Sequence, residues 1–403
     1  MLSVADARAR IVAAMQLLPT VEVGVSEALG RVLAEDLTAR RTQPPSAVSA
    51  MDGYAVRAED VREVPARLKL VGYAPAGDAY EAIIGAGEAV RIFTGAPVPE
   101  GADTVVIQED TDLEDDEVVI KEIEPSRHIR PAGLDFKEGD VLLEAGRVIS
   151  ARDAGLIAAM NRPWVKVRRR PRVAILSTGD EIVMPGDPVG PNQIVSANSI
   201  GLAAVVRVFG GEPVLLGIAP DDRDALARMA AGARGMDMLV TTGGASVGDH
   251  DLIQEVLGDA GLELDFWKIA MRPGKPLIFG DFNGTPLLGL PGNPVSTMVC
   301  ALIFLKPALA AQLGLELSEI DDESAILSEP IDANGGREDY IRATLQKSED
   351  GRLLVTPFPV QDSSMMVPLS RSDCFIVRAP NAAGEKVGAS VSILKMPAEM
   401  GGF

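Results

Sequence analysis

Between residues 172 and 312, buried-strand runs alternate with helical patterns, and on both sides lie short β-type runs punctuated by Gly and Pro. Together these predict a multidomain α/β plus all-β protein: a central parallel α/β sandwich, an inserted β module and a small C-terminal β-barrel. The length of 403 residues suits two to three domains, and 47% hydrophobic residues can fill their cores.

Taken in order, Ser3 and Asp6 stand at capping-box spacing before Val4, Ile11, Met15 and Leu18, which recur at helical intervals until Pro19. The chain therefore opens with an amphipathic helix, and a second short helix is expected from Ser26 to about Leu37. Gln43-Pro44-Pro45 interrupts that pattern. From there to about Val141 the texture is β, with runs at 68–71, 89–93, 104–108 and 117–120. A strand at 141–143, a turn and a helix at 151–160 are expected to pack back against the first helices. The cations Lys166, Arg168, Arg169, Arg170 and Arg172 lack interleaved aromatics, which favours a basic connector over a binding patch. Strands then fall at 173–176, 214–218, 238–242 and 287–290, and helices at 198–208, 224–233, 252–257 and 295–312. From about 319 the short strands return as a barrel or sandwich. The expected domains are 1–42 with 142–168 as a helical linking domain, 43–141 as the inserted β module, 169–318 as the α/β domain and 319–403 as the barrel.

Charge and residue economy exclude several functions. The net charge of −20 argues against a nucleic-acid or anionic-membrane binder. Residues 43–141 hold 21 acidic and 9 basic residues, a net of −12, so over half of the excess sits in about a quarter of the length. Two cysteines, Cys300 and Cys374, and two histidines, His128 and His250, leave no disulfide scaffold, zinc finger or His-rich metal site. A bound metal is expected to be hard and oxygen-ligated. The N-terminus lacks the apolar core of a signal peptide, and the uncharged apolar run 295–305 is shorter than the ~20 residues a bilayer needs. A reduced, cytoplasmic protein is the expectation.

Ligands of parallel sheets bind beyond the carboxyl ends of the strands, and here each such end carries a loop of unusual composition. Ser177-Thr178-Gly179-Asp180-Glu181 joins hydroxyls and carboxylates to a Gly that admits close backbone approach. The run 241–251, with Gly243, Gly244 and Ser246, ends at a helix start and can cradle an anion; Asp249 or Asp251 either caps that helix or binds a ligand. In Gly289-Leu290-Pro291-Gly292-Asn293-Pro294-Val295-Ser296, Asn293 reads as an N-cap and Pro294 as the first helical residue, with Ser296 beside the helix start. Lys268, Arg272 and Lys275, the last followed by Pro276, are three cations in eight residues on a stiff Pro/Gly turn, which suits phosphate or another oxyanion. No dinucleotide fingerprint, P-loop or H-E-x-x-H is present, and His250 alone makes a triad improbable. In the β module, Ser49-Ala50-Met51-Asp52-Gly53 and Thr94-Gly95-Ala96-Pro97 read, by local physics alone, as turns.

TGDE, TGGASVGDHD, PGKP, GLPGNPVS, SAMDGYAV and TGAPVP, in this order of modules over about residues 3–390, closely resemble the molybdopterin molybdenumtransferase family, which includes the C-terminal domain of gephyrin. The resemblance implies a central domain of the molybdopterin-binding type. It implies an elongated homodimer whose site lies at the subunit interface, the β module of one subunit facing the central domain of the other. The implied reaction inserts molybdate into adenylylated molybdopterin with Mg²⁺, releasing AMP and molybdenum cofactor; the adenylyltransferase and molybdoenzyme apoproteins are implied partners. By this resemblance Asp52 and Thr94 become functional rather than mere turns. Glu181, Asp221 (or its neighbour Asp222) and Asp251 match acidic positions that suit catalysis and Mg²⁺. Thr178, Gly179, Asp180, Gly243, Gly244, Ser246, Lys268, Arg272, Lys275, Pro276, Ser296, Arg337 and Ser364 (or Ser363) match substrate-binding positions. The extra modules disfavour an adenylyltransferase, PGNPVS disfavours the competence-damage class, and nothing resembles the additional parts of a gephyrin-type scaffold.

Overall fold

The computed structural model describes residues 1–123, 128–243, 252–316 and 323–397. They form two compact units. One comprises Met1–Val21, Gly30–Ala34 and Val167–Phe403, the other Glu22–Leu29 and Glu35–Lys166.

The first unit begins with helix α1, Val4–Ala14, whose Ser3 hydroxyl accepts from the Asp6 amide at 3.1 Å. Its apolar face, Val4, Ala7 and Ile11, is buried, as the spacing predicts.

The second unit is built on a six-stranded sheet. Its strands are β1 (Gly53–Val56), β2 (Ala66–Ala74), β3 (Glu88–Ile92), β4 (Thr104–Ile107), β5 (Thr111–Glu114) and β6 (Glu117–Ile120), in the order β4-β1-β3-β2-β6-β5. Only β2 and β3 run parallel. The helix expected from Ser26 to Leu37 does not form. A single 3-10 turn, Val25–Glu27, is present, and helix α2, Ala151–Ala159, packs on it. Gly30 at φ 71 lies where a continued helix would pass and breaks it.

Helix α2 opens with a full capping box between Ser150 and Asp153. The Asp153 carboxylate is buried, accepts from Ser150 and is gripped by Arg147 at 3.0 Å, so its carboxyl is lowered to about 2, chiefly by the Arg147 hydrogen bond. A depressed carboxyl stabilises the fold above its ordinary value near 4 and loses that contribution as pH falls toward 2. Asp153→Asn is expected to cost about 1 kcal/mol at neutral pH. Denaturant titrations at pH 7 and below pH 2 check it: the gap between variant and parent should close in acid.

The central sheet of the first unit contains β7 (Arg172–Thr178), β8 (Glu212–Ala219), β9 (Met238–Thr242), β10 (Leu262–Lys268), β12 (Pro276–Phe282) and β13 (Thr285–Leu290); β11 (Met271–Arg272) lies outside it. The order is β8-β7-β9-β13-β12-β10. The first four are parallel and β12 is antiparallel to both neighbours. The predicted sheet is thus mixed. Strands β10 and β12 escaped the sequence reading because they flank the cation-rich turn and pair as a hairpin, without an intervening helix. Helices α3 (Asn198–Val208), α4 (Arg223–Ala230) and α5 (Leu252–Asp259) follow β7, β8 and β9.

After β13, the chain from Pro294 to Leu313 forms α6 (Pro294–Cys300), a π turn (Ala301–Leu305) and α7 (Lys306–Leu313). The π turn accommodates Pro307, which has no N–H to return to residue 303. These 20 residues are long and apolar enough to cross a membrane by length and composition, yet 78% of that window is buried inside the protein as its core helix. Arg169 pairs with Asp237 through both guanidinium nitrogens, at 2.8 and 2.6 Å, so this part of the basic connector is a brace.

The C-terminal strands β14 (Glu323–Leu327), β15 (Glu338–Lys347), β16 (Leu353–Pro357), β17 (Cys374–Arg378) and β18 (Ser390–Lys395) close as β15-β16-β14-β18-β17-β15, a five-stranded barrel; α8 (Met366–Ser370) lies between β16 and β17. The barrel takes in β11 from the cation-rich turn, Met271 opposite Glu338 and Arg272 opposite Asp339.

Candidate functional site

In the first unit the loops beyond β7, β8, β9 and β13 meet. Asp221 N–H donates to the Asp180 carboxylate at 3.1 Å, joining the first two. Gly243, at φ 91, packs so tightly on Thr178 that a methyl group would collide with the Thr178 carbonyl. A methyl group on Gly292 would stand 3.4 Å from Gly243 Cα. Asn198, at the start of α3, donates to Thr242 Oγ1 at 3.0 Å and to the Gly292 carbonyl at 2.7 Å, tying three loops together. Gly243 is therefore required by close approach as well as by backbone conformation, whereas a methyl group on Gly292 would make an ordinary contact. Ser177, Thr178 and Thr241 are buried at these strand ends, and among the described residues their hydroxyls have no hydrogen-bond partner. Three unsatisfied buried hydroxyls in one place are costly for a fold and useful to a polar ligand.

The acidic candidates separate by what their carboxylates already do. Asp222 caps α4, accepting from Ala225 N–H at 2.8 Å. Asp221 is exposed and makes no such cap, so it is the acid available to a ligand. Glu181 is exposed, and its carboxylate lies over Gly179, whose φ of 133 would strain any side chain there. Gly244, Ser246, His250 and Asp251, with Asp249, lie outside the described residues. Among the described residues no group of three or more His, Cys, Asp or Glu side chains gathers at one point. Glu181 and Asp221 are oxygen donors of the kind a hard ion such as Mg²⁺ takes, and such an ion keeps waters and phosphate oxygens and needs no full protein cage.

The cations fall into two kinds. Arg272 is ion-paired with Asp339, whose side chain is only 3% exposed, while Arg272 itself is 55% exposed and keeps further donors outward. This pair clamps the turn to the barrel, a second duty that the turn's spacing does not reveal. Arg337 and Arg378 also act on Asp339, but burial dominates and raises its carboxyl above the ordinary value. Lys268 Nζ sits 3.5 Å over the Trp267 ring, and its residue opposes Pro276 across β10 and β12. Lys275 is half-buried behind Gly274, where a methyl group would lie 2.6 Å from the Cys300 sulfur, so the turn rests on the core helix.

At the start of α6, Ser296 is buried. Asn293 occupies the N-cap position, but its side chain makes no cap; instead its amide donates to Ser363 Oγ at 2.8 Å. The Ser363 carbonyl accepts from Val295 N–H at 3.0 Å, so one donor of this helix start is already taken. Ser364 donates its hydroxyl to Asp362 at 2.6 Å. Of the two serines, Ser363 is the one seated at this helix start. Both cysteines are free and buried; burial pushes Cys374 up to about 12 and Cys300 higher still, so neither offers a thiolate.

The second unit has its own polar feature. Asp52 Oδ1 accepts from the Thr94 amide at 2.7 Å and the Thr94 hydroxyl at 2.8 Å, which joins the two motifs that looked like separate turns. The Thr94 N–H, then its hydroxyl, hold the Asp52 carboxyl below its ordinary value, and Arg91 adds to this. Arg91 stacks between Tyr54 and Phe93, 5.0 and 5.1 Å from the ring centroids. Sequence reasoning missed Arg91, Asn198 and Asp339; the alternation Arg91, Phe93 against Tyr54 was the one available signal.

Residues 2–161 match the MoeA N-terminal region (domain I and II), residues 174–311 the probable molybdopterin binding domain, and residues 324–396 the MoeA C-terminal region (domain IV). A molybdopterin molybdenumtransferase of Nostoc sp. (strain PCC 7120) is 36% identical over 378 residues, covering 91% of this chain and 87% of that protein. One from Haemophilus influenzae is 34% identical over 375 residues, covering 92% of each. The crystal structure of the molybdopterin biosynthesis moea protein from Pyrococcus horikosii aligns with a TM-score of 0.84 at 31% identity, covering 98% of this chain and 99% of that one.

Proposed function

This chain belongs to the molybdopterin molybdenumtransferase family (EC 2.10.1.1), and from that membership we propose that it inserts molybdate into adenylylated molybdopterin, releasing AMP and molybdenum cofactor with Mg²⁺. The observation that supports this most is the convergence of four strand-end loops around buried, unpartnered hydroxyls, beside a turn rich in cations.

In this reading the Gly243 loop, Thr178 and Lys268 hold the pterin phosphate and the AMP portion. Lys275, Arg272, Arg337 and Ser296, with Ser363, hold molybdate as a tetrahedral dianion. Glu181, Asp221 and Asp251 would hold Mg²⁺, which supplies positive charge to a phosphoanhydride under cleavage. Because the two thiols are buried and protonated, neither serves as a nucleophile, and in this reading the chain's part is to bind, orient and neutralise charge. A homodimer, a cytoplasmic setting and encounters with the adenylyltransferase and molybdoenzyme apoproteins belong to the same proposal.

The deciding experiment incubates the protein with adenylylated molybdopterin, Mg²⁺ and molybdate and follows AMP. Molybdate-stimulated release is expected, and Lys275→Ala should reduce it roughly a hundredfold, as loss of one preorganised charge does. No stimulation with substrate of confirmed integrity would remove the proposal.

A further inference from the structure

We propose that Arg342 is a positioning residue that sets the geometry of the oxyanion pocket through the segment 358–365; this rests on the reading that molybdate binds where Ser363 meets the start of α6.

Arg342 lies within β15, is 1% exposed and heads the fully buried side chains by volume. A guanidinium taken into a protein interior ordinarily faces a carboxylate. Here the Asp362 carboxylate acts on it only as a nearby charge, and its four side-chain hydrogen bonds all go to neutral oxygens: Gln361 Oε1 at 3.3 Å and the carbonyls of Val360, Asp362 and Met365 at 3.4, 2.9 and 2.9 Å. Every partner belongs to one loop. The Arg342 backbone joins in, its N–H donating to Gln361 Oε1 at 3.0 Å and its carbonyl accepting from Gln361 Nε2 at 3.0 Å and Phe358 N–H at 3.0 Å. A barrel that needed only volume at this position would be served as well by an apolar side chain. What the planar fork adds is a template that several carbonyls must match at once.

The loop so held carries Ser363, whose hydroxyl accepts from Asn293 and whose carbonyl accepts from Val295, so that among the described residues its hydroxyl proton is left to donate. A donated O–H is what a tetrahedral oxyanion requires. Ser364, whose proton is committed to Asp362, instead tightens the turn that presents Ser363. A buried cation two side chains away from the anion thus decides where the pocket's hydroxyl stands.

The test measures AMP release against molybdate concentration for Arg342→Lys, Gln361→Ala and Ser363→Ala, with thermal midpoints alongside. An ammonium cannot span carbonyls at residues 360, 362 and 365, so Arg342→Lys should raise half-saturating molybdate about tenfold or more, and Gln361→Ala, which spares the guanidinium, about threefold. Ser363→Ala should raise it as well. If Arg342→Lys and Gln361→Ala lower only the midpoint and leave half-saturation unchanged while Ser363→Ala shifts it, Arg342 merely stabilises the barrel and the inference is wrong. If Ser363→Ala shifts nothing, the pocket reading itself fails, and this inference with it. Should Arg342→Lys fail to fold, Gln361→Ala decides between these results.

Discussion

Asp52→Asn is expected to slow cofactor formation by about two orders of magnitude while the β module stays folded. The family resemblance gives Asp52 a catalytic place, and the scale is that of removing one preorganised charged group. The substitution is nearly isosteric, and Asn Oδ1 can still accept from the Thr94 amide and hydroxyl that now reach Asp52 at 2.7 and 2.8 Å, so only the charge is withdrawn. Because those donors and Arg91 lower the Asp52 carboxyl, it is ionised throughout the neutral range and stays so until pH falls below the ordinary carboxylate value. A limb in the parent's pH–rate profile between 6 and 9 therefore belongs to another group, and the variant should keep that limb at a lower plateau. Steady-state rates across that range, with circular dichroism as the fold control, check both statements. Full activity in the variant would reduce Asp52 to the turn residue its local sequence suggests.

Gly53→Ala is expected to be among the most destabilising single methyl additions in the second unit, at about 3 kcal/mol or more. Gly53 pairs with both Ile92 and Ile107 in an interior strand, and a Cβ there would collide with the Val106 carbonyl oxygen. The obstacle is backbone, so relief requires parting β1 from β4. Gly155 supplies the contrast: it lies in α2 with no heavy atom within 4 Å of a would-be Cβ. Gly155→Ala should stabilise by about 0.5–1 kcal/mol, through helix propensity and a less free unfolded chain. Urea denaturation of the two variants against the parent tests the pair. A Gly53→Ala protein as stable as the parent would show that the two strands can separate cheaply.

These cases mark how far the sequence could be read. Strands at 117–120, 141–143 and 238–242 and the helix at 198–208 were legible because their patterns are local and complete within a few residues. The helix expected from Ser26 was not formed, since Gly30 carries a positive φ that apolar spacing does not reveal. Strand β12 shows no alternation of its own, and β10 was missed although Leu262-Glu263-Leu264-Asp265-Phe266 alternates, because the two pair as a hairpin about the cation-rich turn rather than through a helix. Asp52 and Thr94 were separable as motifs, but their hydrogen bond, spanning 42 residues, was not foreseeable from either turn.

The sequence alone determined the order of α/β and β modules, the loops at the strand ends, the poverty of Cys and His and the family to which these motifs point, because periodicity, turn chemistry and motif spacing are short-range properties of a chain. Tertiary structure decided which atoms of those motifs are available. It committed Asp222 to a helix cap, Arg272 to Asp339 and Asn293 to Ser363, and it seated Arg342 beneath residues 360–365. The Asp222 cap is local, three residues from its donor, but the other pairings join strands and loops far apart in the chain, and no local pattern encodes which donor will face which partner.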